Sequence, residues 1–247
     1  MPSSAEPVHT LADLAHWSHS GTSLAVLGHP IAHSLSPPMH NAALAALARD
    51  NPRFRDWRYF RFDVPPDELK KALELLHQKK FHGINLTVPH KILAFDLVAS
   101  TDPAARPIGA VNTLVWNERG WHGHNTDGYG LATAVRETFR RELAGANIIL
   151  LGAGGAARGA AVECLQQHCA SLWIGNRTKE NLSALLAILE PLKENIPVHG
   201  FALDEAPPSF PKGAIFIQAT TLGLHASDTV PFKLSDLPDP AGVYDMT

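Results

Sequence analysis

Apolar residues along this chain switch between two periods, and the switches lay out a series of strands and helices. Short apolar or alternating runs predict strands at 23–27, 57–62, 81–86, 111–116 and 121–124. Helical spacing lies between them at 37–49, 65–78 and 89–98. A longer helix is predicted over 126–143, with Leu131, Ala134, Val135 and Phe139 on one face. Residues 147–151 (NIILL) read as a fully buried strand, and Ala160, Ala161, Cys164, Leu165 and His168 then recur with helical period. A strand at 171–174, a helix at 179–189 and strands near 197–200, 214–218 and 242–246 complete the pattern. Such alternation means parallel sheet flanked by helices. The expected fold is α/β, with two open parallel-type units. Residues 1–20 are expected as a polar N-terminal extension or a short helix, 21–125 as the first unit, and 126–247 as the second, connecting helix included.

The turn after the NIILL strand is the most telling stretch. Gly152-Ala153-Gly154-Gly155-Ala156-Ala157 fits G-x-G-x-x-A between a strand and a helix. Glycines there let backbone approach a pyrophosphate, which rests on the helix N-terminus. About twenty residues on, where an NAD-binding unit carries Asp or Glu for the ribose hydroxyl, stand Asn176, Arg177 and Thr178. An arginine suits the 2′-phosphate of NADP. An ordinary strand-to-helix turn beside a surface arginine is the bland alternative.

Composition narrows the classes. With 247 residues, 45% of them hydrophobic, the chain can bury a sizeable core. A formal charge of −3 gives no basic surplus for nucleic acid. There is no apolar run of about 18 residues and no signal-peptide pattern at the start, so a cytoplasmic protein is expected, without membrane partners. Cys164 and Cys169 suit reduced core thiols better than a disulfide.

In an open α/β sheet, strand-to-helix junctions line the ligand crevice at the carboxyl ends of the strands. Four junctions of the first unit carry candidate chemistry. Residues 28–37 contain Ser34 and Ser36. Ser36 before Pro37 makes a good N-cap and N1 pair, so capping explains Ser36 by itself. It does not explain Ser34, and two hydroxyls at a helix start suit a carboxylate. The two readings weigh equally. Residues 85–91 contain Asn85, Thr87, Pro89 and Lys91. With Pro89 at the first helical position, Lys91 falls in the first turn, where a cation opposes the helix dipole. A solvated surface lysine is the usual reading, but that placement within a crevice favours a proton donor. Residues 109–113 bring Asn112, able to serve a hydroxylated ligand or simply a turn. Residues 124–128 bring Asn125 or Thr126 as a cap and Asp127 in the first helical turn, where dipole stabilisation suffices to explain it. Facing Lys91 across the crevice, Asp127 would instead hold and polarise the amine.

Taken in order, these stretches resemble the shikimate dehydrogenase family: G-H-P-I-A-H-S-L-S-P-P-M-H-N (28–41), G-I-N-L-T-V-P-H-K (83–91), I-G-A-V-N-T-L (108–114), N-T-D-G (125–128), G-A-G-G-A-A-R (152–158), N-R-T (176–178) and V-Y-D-M (243–246). The resemblance implies a substrate domain over 21–125 and a Rossmann-like NADP-binding domain over 126–247. It implies that Ser34 and Ser36 bind the substrate carboxylate. Asn85, Thr87, Asn112 and Asp127 would contact ring hydroxyls or the reacting oxygen, with Lys91 and Asp127 as the catalytic pair. Gly152, Ala153, Gly154, Gly155, Ala156, Asn176, Arg177, Thr178 and Thr220 would hold NADP. The implied activity is reversible NADPH-dependent reduction of 3-dehydroshikimate to shikimate, in chorismate and aromatic amino acid biosynthesis.

Two departures from the family pattern stand out. Gln218-Ala219-Thr220 replaces the usual Asn-Ala-Thr, adding a methylene ahead of the amide. The family also continues past the point equivalent to Thr247 with a Tyr-Asn-Pro segment and a helical tail bearing a substrate-binding Gln, without counterpart here. On that resemblance one wall of the substrate pocket is missing, and NADP binding is expected to outlast turnover. The alternatives are a quinate/shikimate dehydrogenase with relaxed cofactor use, which Arg177 speaks against, and a non-catalytic ligand-binding homologue, which Lys91 and Asp127 together speak against. Fourteen histidines raise the question of a metal, yet no H-E-x-x-H or paired-cysteine spacing occurs. Pro30 separates His29 from His33, and His122 with His124 on one strand face supplies only two ligands, so no metal is expected. The expected partner is a small-molecule substrate, and a homodimer is left open.

Overall fold

The apolar runs of the first unit become the centre of a seven-stranded sheet in the computed structural model, which describes residues 6–203, 209–223, 227–230 and 238–246. The chain divides into two units, Met1–Asn125 and Thr126–Thr247. In the first, β1 (Val8–His9), β2 (Thr22–Gly28), β3 (Trp57–Asp63), β4 (Gly83–Leu86), β5 (Ser100–Thr101), β6 (Thr113–Asn117) and β7 (Gly120–His124) lie in the order β1-β3-β2-β4-β6-β7-β5. Helices α1 (Leu11–Ala15), α2 (Ser36–Asp50), α3 (Leu69–Gln78) and α4 (His90–Leu93) accompany them. Strands β1 to β4 pair in parallel, with α2 and α3 as crossovers. The purely parallel expectation stops there. β6 runs antiparallel to both β4 and β7, because the few residues joining β6 to β7 allow a hairpin and cannot hold a crossover helix.

Packing follows the helical pattern closely. Leu69, Ala72, Leu73 and Leu76 of α3, spaced i, i+3, i+4 and i+7, are all buried and face a core that includes Leu27, Phe62, Phe81 and Leu114. Each fully buried leucine contributes about 1.5–3 kcal/mol. Trp121 joins that core and satisfies its indole N–H on the Leu73 carbonyl at 2.9 Å. The first twenty residues carry a short helix and also a strand. β1 adds an edge strand, and α1 is closed by a capping box between Thr10 and Asp13. Leu14 is fully buried, and Trp17 meets Phe60 edge-on at 4.7 Å. The five-residue helix matches the short-helix reading, whereas a two-residue strand is too short to show a period, which hid it in the sequence.

The second unit is parallel throughout: β8 (Asn147–Leu151), β9 (Ser171–Asn176), β10 (Val198–Ala202), β11 (Ile215–Gln218) and β12 (Gly242–Asp245) lie in the order β10-β9-β8-β11-β12. Helices α5 (Asp127–Phe139), α6 (Gly155–Gln166) and α7 (Lys179–Leu189) belong to this unit. The connecting helix stops earlier than expected because Arg140 turns left-handed at φ 53°. The strand order reverses between β8 and β11, which makes their carboxyl ends the switch point where such sheets bind ligands. Cys164 and Cys169 are free and buried; burial pushes the Cys164 thiol well up and that of Cys169 up to about 11. No helix among the described residues is long and apolar enough to cross a membrane.

Candidate active site

Main-chain hydrogen bonds lace the first-unit junctions together at one edge of the sheet. The loop after β2 is tied to the loop after β4 by His29 N–H to Val88 O at 3.0 Å. Leu86 N–H reaches Asn112 O at 2.8 Å, Asn112 N–H reaches His124 O at 2.9 Å, and Val111 N–H reaches Lys91 O at 2.8 Å. Because β6 is antiparallel to β4, the start of β6 lies beside the carboxyl end of β4, with Thr113 opposite Asn85. Ser34, Ser36, Asn85, Thr87, Lys91 and Asn112 therefore gather at that edge. Two cis prolines, Pro30 and Pro89, stand in these loops.

Local geometry revises two expectations. Ser36 is not a cap: it is the first residue of α2, Leu35 holds the N-cap position, and α2 has no side-chain cap hydrogen bond. Ser34 Oγ instead accepts from Ser36 N–H at 3.3 Å, so capping no longer accounts for the Ser36 hydroxyl. Pro89 is the N-cap of α4 rather than its first residue, and α4 is a single turn. The dipole argument for Lys91 falls with it, since one turn builds little macrodipole. What remains for Lys91 is its place in the laced loops.

Two residues that the sequence reading passed over organise this edge. Arg61, buried within β3, donates from Nη1 to the carbonyls of Ala32 at 2.6 Å and Ser34 at 3.0 Å, and from Nη2 to Glu6 O. Its guanidinium fixes the serine loop from below. Tyr59, two residues earlier on the same strand face, donates to Asn85 Oδ1 at 2.7 Å and stacks on His40 at 4.3 Å. Asn85 Nδ2 donates to Thr113 Oγ1 at 3.1 Å, and that hydroxyl donates to Asn112 Oδ1 at 3.0 Å. Asn112 is thus a buried member of a polar chain rather than a simple turn residue. A visible signal existed: an arginine flanked by Phe60 and Phe62 inside a core strand must find buried acceptors.

The second unit carries its candidate residues at the switch point. Gly152 takes φ 117°, and a Cβ there would lie 2.7 Å from Ala219 O, so only glycine passes between β8 and β11. Gly154 caps α6 with extended backbone, and its would-be Cβ meets no described atom within 4 Å. That open space above the α6 N–H groups fits a pyrophosphate. Ala153 is buried, while Gly155 and Ala156 open the helix. Asn176, the last residue of β9, donates to Thr178 O at 2.8 Å and folds the turn that leaves Arg177 and Thr178 exposed. Buried Gln218 uses its longer amide within the chain: Nε2 donates to Leu222 O at 2.7 Å and Oε1 accepts from Thr220 N–H at 2.9 Å. Thr220 Oγ1 in turn accepts from Leu222 N–H at 3.1 Å. Asp127 opens α5 in this same unit, in its first turn.

A five-stranded parallel sheet with a glycine turn at its switch point, preceded by a unit bearing a polar strand edge, defines a two-unit α/β protein of the dinucleotide-binding kind. The model of the shikimate dehydrogenase substrate binding domain matches residues 26–114. The shikimate dehydrogenase (NADP(+)) of Symbiobacterium thermophilum is 38% identical over 232 residues, covering 91% of this chain and 76% of that relative. A solved shikimate dehydrogenase in complex with NADP+ superposes with a TM-score of 0.75 at 33% identity, covering 91% of this chain and 76% of that one. Shikimate 5-dehydrogenase from Thermus thermophilus, in complex with NADP(H) and shikimate, gives 0.73 at 32% identity, with 91% and 78% covered. The chain belongs to the shikimate dehydrogenase family.

Proposed function

We propose that this chain is an NADP-dependent oxidoreductase acting on a CH–OH group, interconverting 3-dehydroshikimate and shikimate. Residues 21–125 form the substrate domain and 126–247 the NADP-binding domain in this reading. The observation that supports it best is the lacing of the loops that carry Ser34, Thr87, Lys91 and Asn112 into one sheet edge, within a unit matched by the family's substrate domain. Gly152, Ala153, Gly154, Gly155 and Ala156 would cradle the pyrophosphate, with Asn176, Arg177, Thr178 and Thr220 around the adenosine 2′-phosphate and the neighbouring turn. Bound NADPH supplies the hydride. The residues of the chain do the rest. Ser34 and Ser36 hydroxyls hold the carboxylate, and Asn85, Thr87 and Asn112 orient ring hydroxyls. The Lys91 ammonium stabilises negative charge developing on the carbonyl oxygen and gives that oxygen its proton; in the reverse direction its amine takes the proton back. Asp127, in the first turn of α5, is proposed as the second member of the catalytic pair. General acid catalysis of this kind is worth about 10²–10⁴-fold.

The reading places the protein in the cytoplasm, in chorismate and aromatic amino acid biosynthesis, with a homodimer as the assembly to look for by sedimentation. Absorbance of reduced cofactor, followed with shikimate and quinate against NADP and NAD, tests it. Turnover with shikimate and NADP, lost by orders of magnitude in Lys91→Ala with NADP binding intact, is the expected result. Equal use of NAD, or a preference for quinate, overturns the cofactor or substrate assignment. Binding without turnover in the wild type overturns the enzyme.

A further inference from the structure

Three metal-ligating side chains meet at one end of β7, and the proposed reaction uses none of them. His122 and His124 share a strand face, their rings edge-on with centroids 4.6 Å apart. Parallel pairing of β5 with β7 sets Ser100 opposite His122 and Thr101 opposite Gly123, so the next residue, Asp102, arrives beside His124. Asp102 is fixed by its own backbone and one carboxylate oxygen: its N–H donates to Gly123 O at 2.8 Å, and its Oδ1 accepts from Ala104 N–H at 2.9 Å. The other oxygen, Oδ2, lies 3.7 Å from His124 Nδ1. One nitrogen of each ring and a carboxylate oxygen of Asp102 all lie within 4.8 Å of one another, and each side chain is half-buried. The third ligand was invisible in the sequence because β5, which delivers it, is two residues long.

We propose that Asp102, His122 and His124 form a binding site for a divalent transition-metal ion, with zinc as the expected occupant. Two imidazoles and one carboxylate are borderline ligands that suit zinc and its neighbours, whereas calcium and magnesium take oxygen shells. Ligand atoms at about 2.0–2.2 Å from a common zinc stand about 3–3.5 Å apart, so modest side-chain rotation about an already fixed backbone completes the triad. Three protein ligands leave a position for water. The outer shell is in place as well. His122 Nδ1 lies 2.8 Å from Ser100 Oγ; in the tautomer that donates Nδ1–H to this hydroxyl, Nε2 carries the lone pair a metal needs. The site adjoins the substrate edge through the His124 carbonyl, which accepts the Asn112 N–H at 2.9 Å.

Tag-free protein, stripped by chelator, is titrated with zinc chloride by calorimetry and with cobalt(II) by visible absorption. One zinc per chain and ligand-field bands of nitrogen–oxygen coordination are expected. Both disappear in His122→Gln and in Asp102→Asn, each checked by circular dichroism for retained fold. Ser100→Ala weakens zinc binding by about tenfold, the size of an outer-shell effect. Cys164→Ser with Cys169→Ser changes nothing. Failure of the wild type to take up zinc reduces the cluster to an ordinary Asp–His pair and overturns the proposal. So does zinc uptake that is unchanged in the folded His122→Gln and Asp102→Asn variants.

Discussion

The Tyr59 hydroxyl reaches from β3 over β2 to Asn85 on β4, donating to Oδ1 at 2.7 Å. Burial pushes the Tyr59 phenol well above its ordinary pKa of 10.0, so it stays a donor throughout the neutral range. Removing the hydroxyl with Tyr59→Phe leaves the Asn85 oxygen without that partner in a part-buried setting. Loss of about 1–2 kcal/mol of stability is expected. In shikimate kinetics KM should rise while kcat changes less, since Asn85 would position the ring without touching the proton transferred. Unchanged KM with the same loss of melting temperature would make Tyr59 purely structural.

Arg61 offers a sharper separation of positioning from chemistry. Nη1 holds Ala32 O and Ser34 O together while Nη2 holds Glu6 O, a planar three-acceptor grip that the single point charge of a lysine ammonium does not reproduce. Arg61→Lys should loosen the serine loop and raise KM for shikimate by about tenfold, equivalent to losing one hydrogen bond to a charged group. Binding of NADP, measured by calorimetry, should stay as in the wild type. An unchanged KM in the folded variant would remove the serine loop from carboxylate binding.

Much of this was legible in the sequence, for physical reasons that also explain what was missed. Long apolar periods, such as those of α3 and β8, announce themselves because burial of a whole face leaves a repeat. Gly152 was readable because the turn between β8 and α6 demands a residue without a side chain there; Gly154 was readable only through the motif, since the fold leaves open space at its Cβ position. Of the two readings of Ser36, capping falls because the spelling of a cap fixes neither φ nor ψ; Leu35 takes that position in helical conformation. Arg61, Tyr59 and Asp102 were missed because each acts across strand pairings far apart in the chain. Sequence spacing carries no trace of those pairings.

Gly152 and Gly154 should respond differently to one added methyl. In Gly152→Ala the Cβ meets the Ala219 backbone at 2.7 Å in a left-handed conformation, so loss of fold stability together with NADP binding is expected. In Gly154→Ala the Cβ meets no described atom within 4 Å and φ is −80°. The melting temperature of the apo protein should hold while NADP affinity drops, by at least about tenfold if the methyl displaces the pyrophosphate. Normal NADP affinity in Gly154→Ala would move the cofactor away from this turn.

Stability should fall in mild acid, through three histidines that resist protonation in the folded state. Desolvation is the first cause at His9, His40 and His90, and it lowers each below the ordinary value of 6.5. Nearby Asp13 and Glu6 oppose it at His9, and the Val64 carbonyl and Asp63 oppose it at His90. His90 is fully buried and donates from Nε2 to Val64 O at 2.8 Å, while its buried Nδ1 has no hydrogen-bond partner among the described residues to receive a second proton. In the unfolded chain all three return to about 6.5, so below that pH the unfolded state binds protons that the native state does not. Stability therefore declines as pH falls through about 6.5, levels off only below the depressed folded values, and has no slope from these groups above 6.5. Urea midpoints at about pH 7.5 and about pH 5.5 measure the effect, with the lower midpoint expected at the lower pH. His90→Gln, which keeps an amide donor for Val64 O but cannot titrate, should be less stable at high pH and show a smaller acid-dependent drop. An equal drop in that variant would place the acid sensitivity elsewhere in the fold.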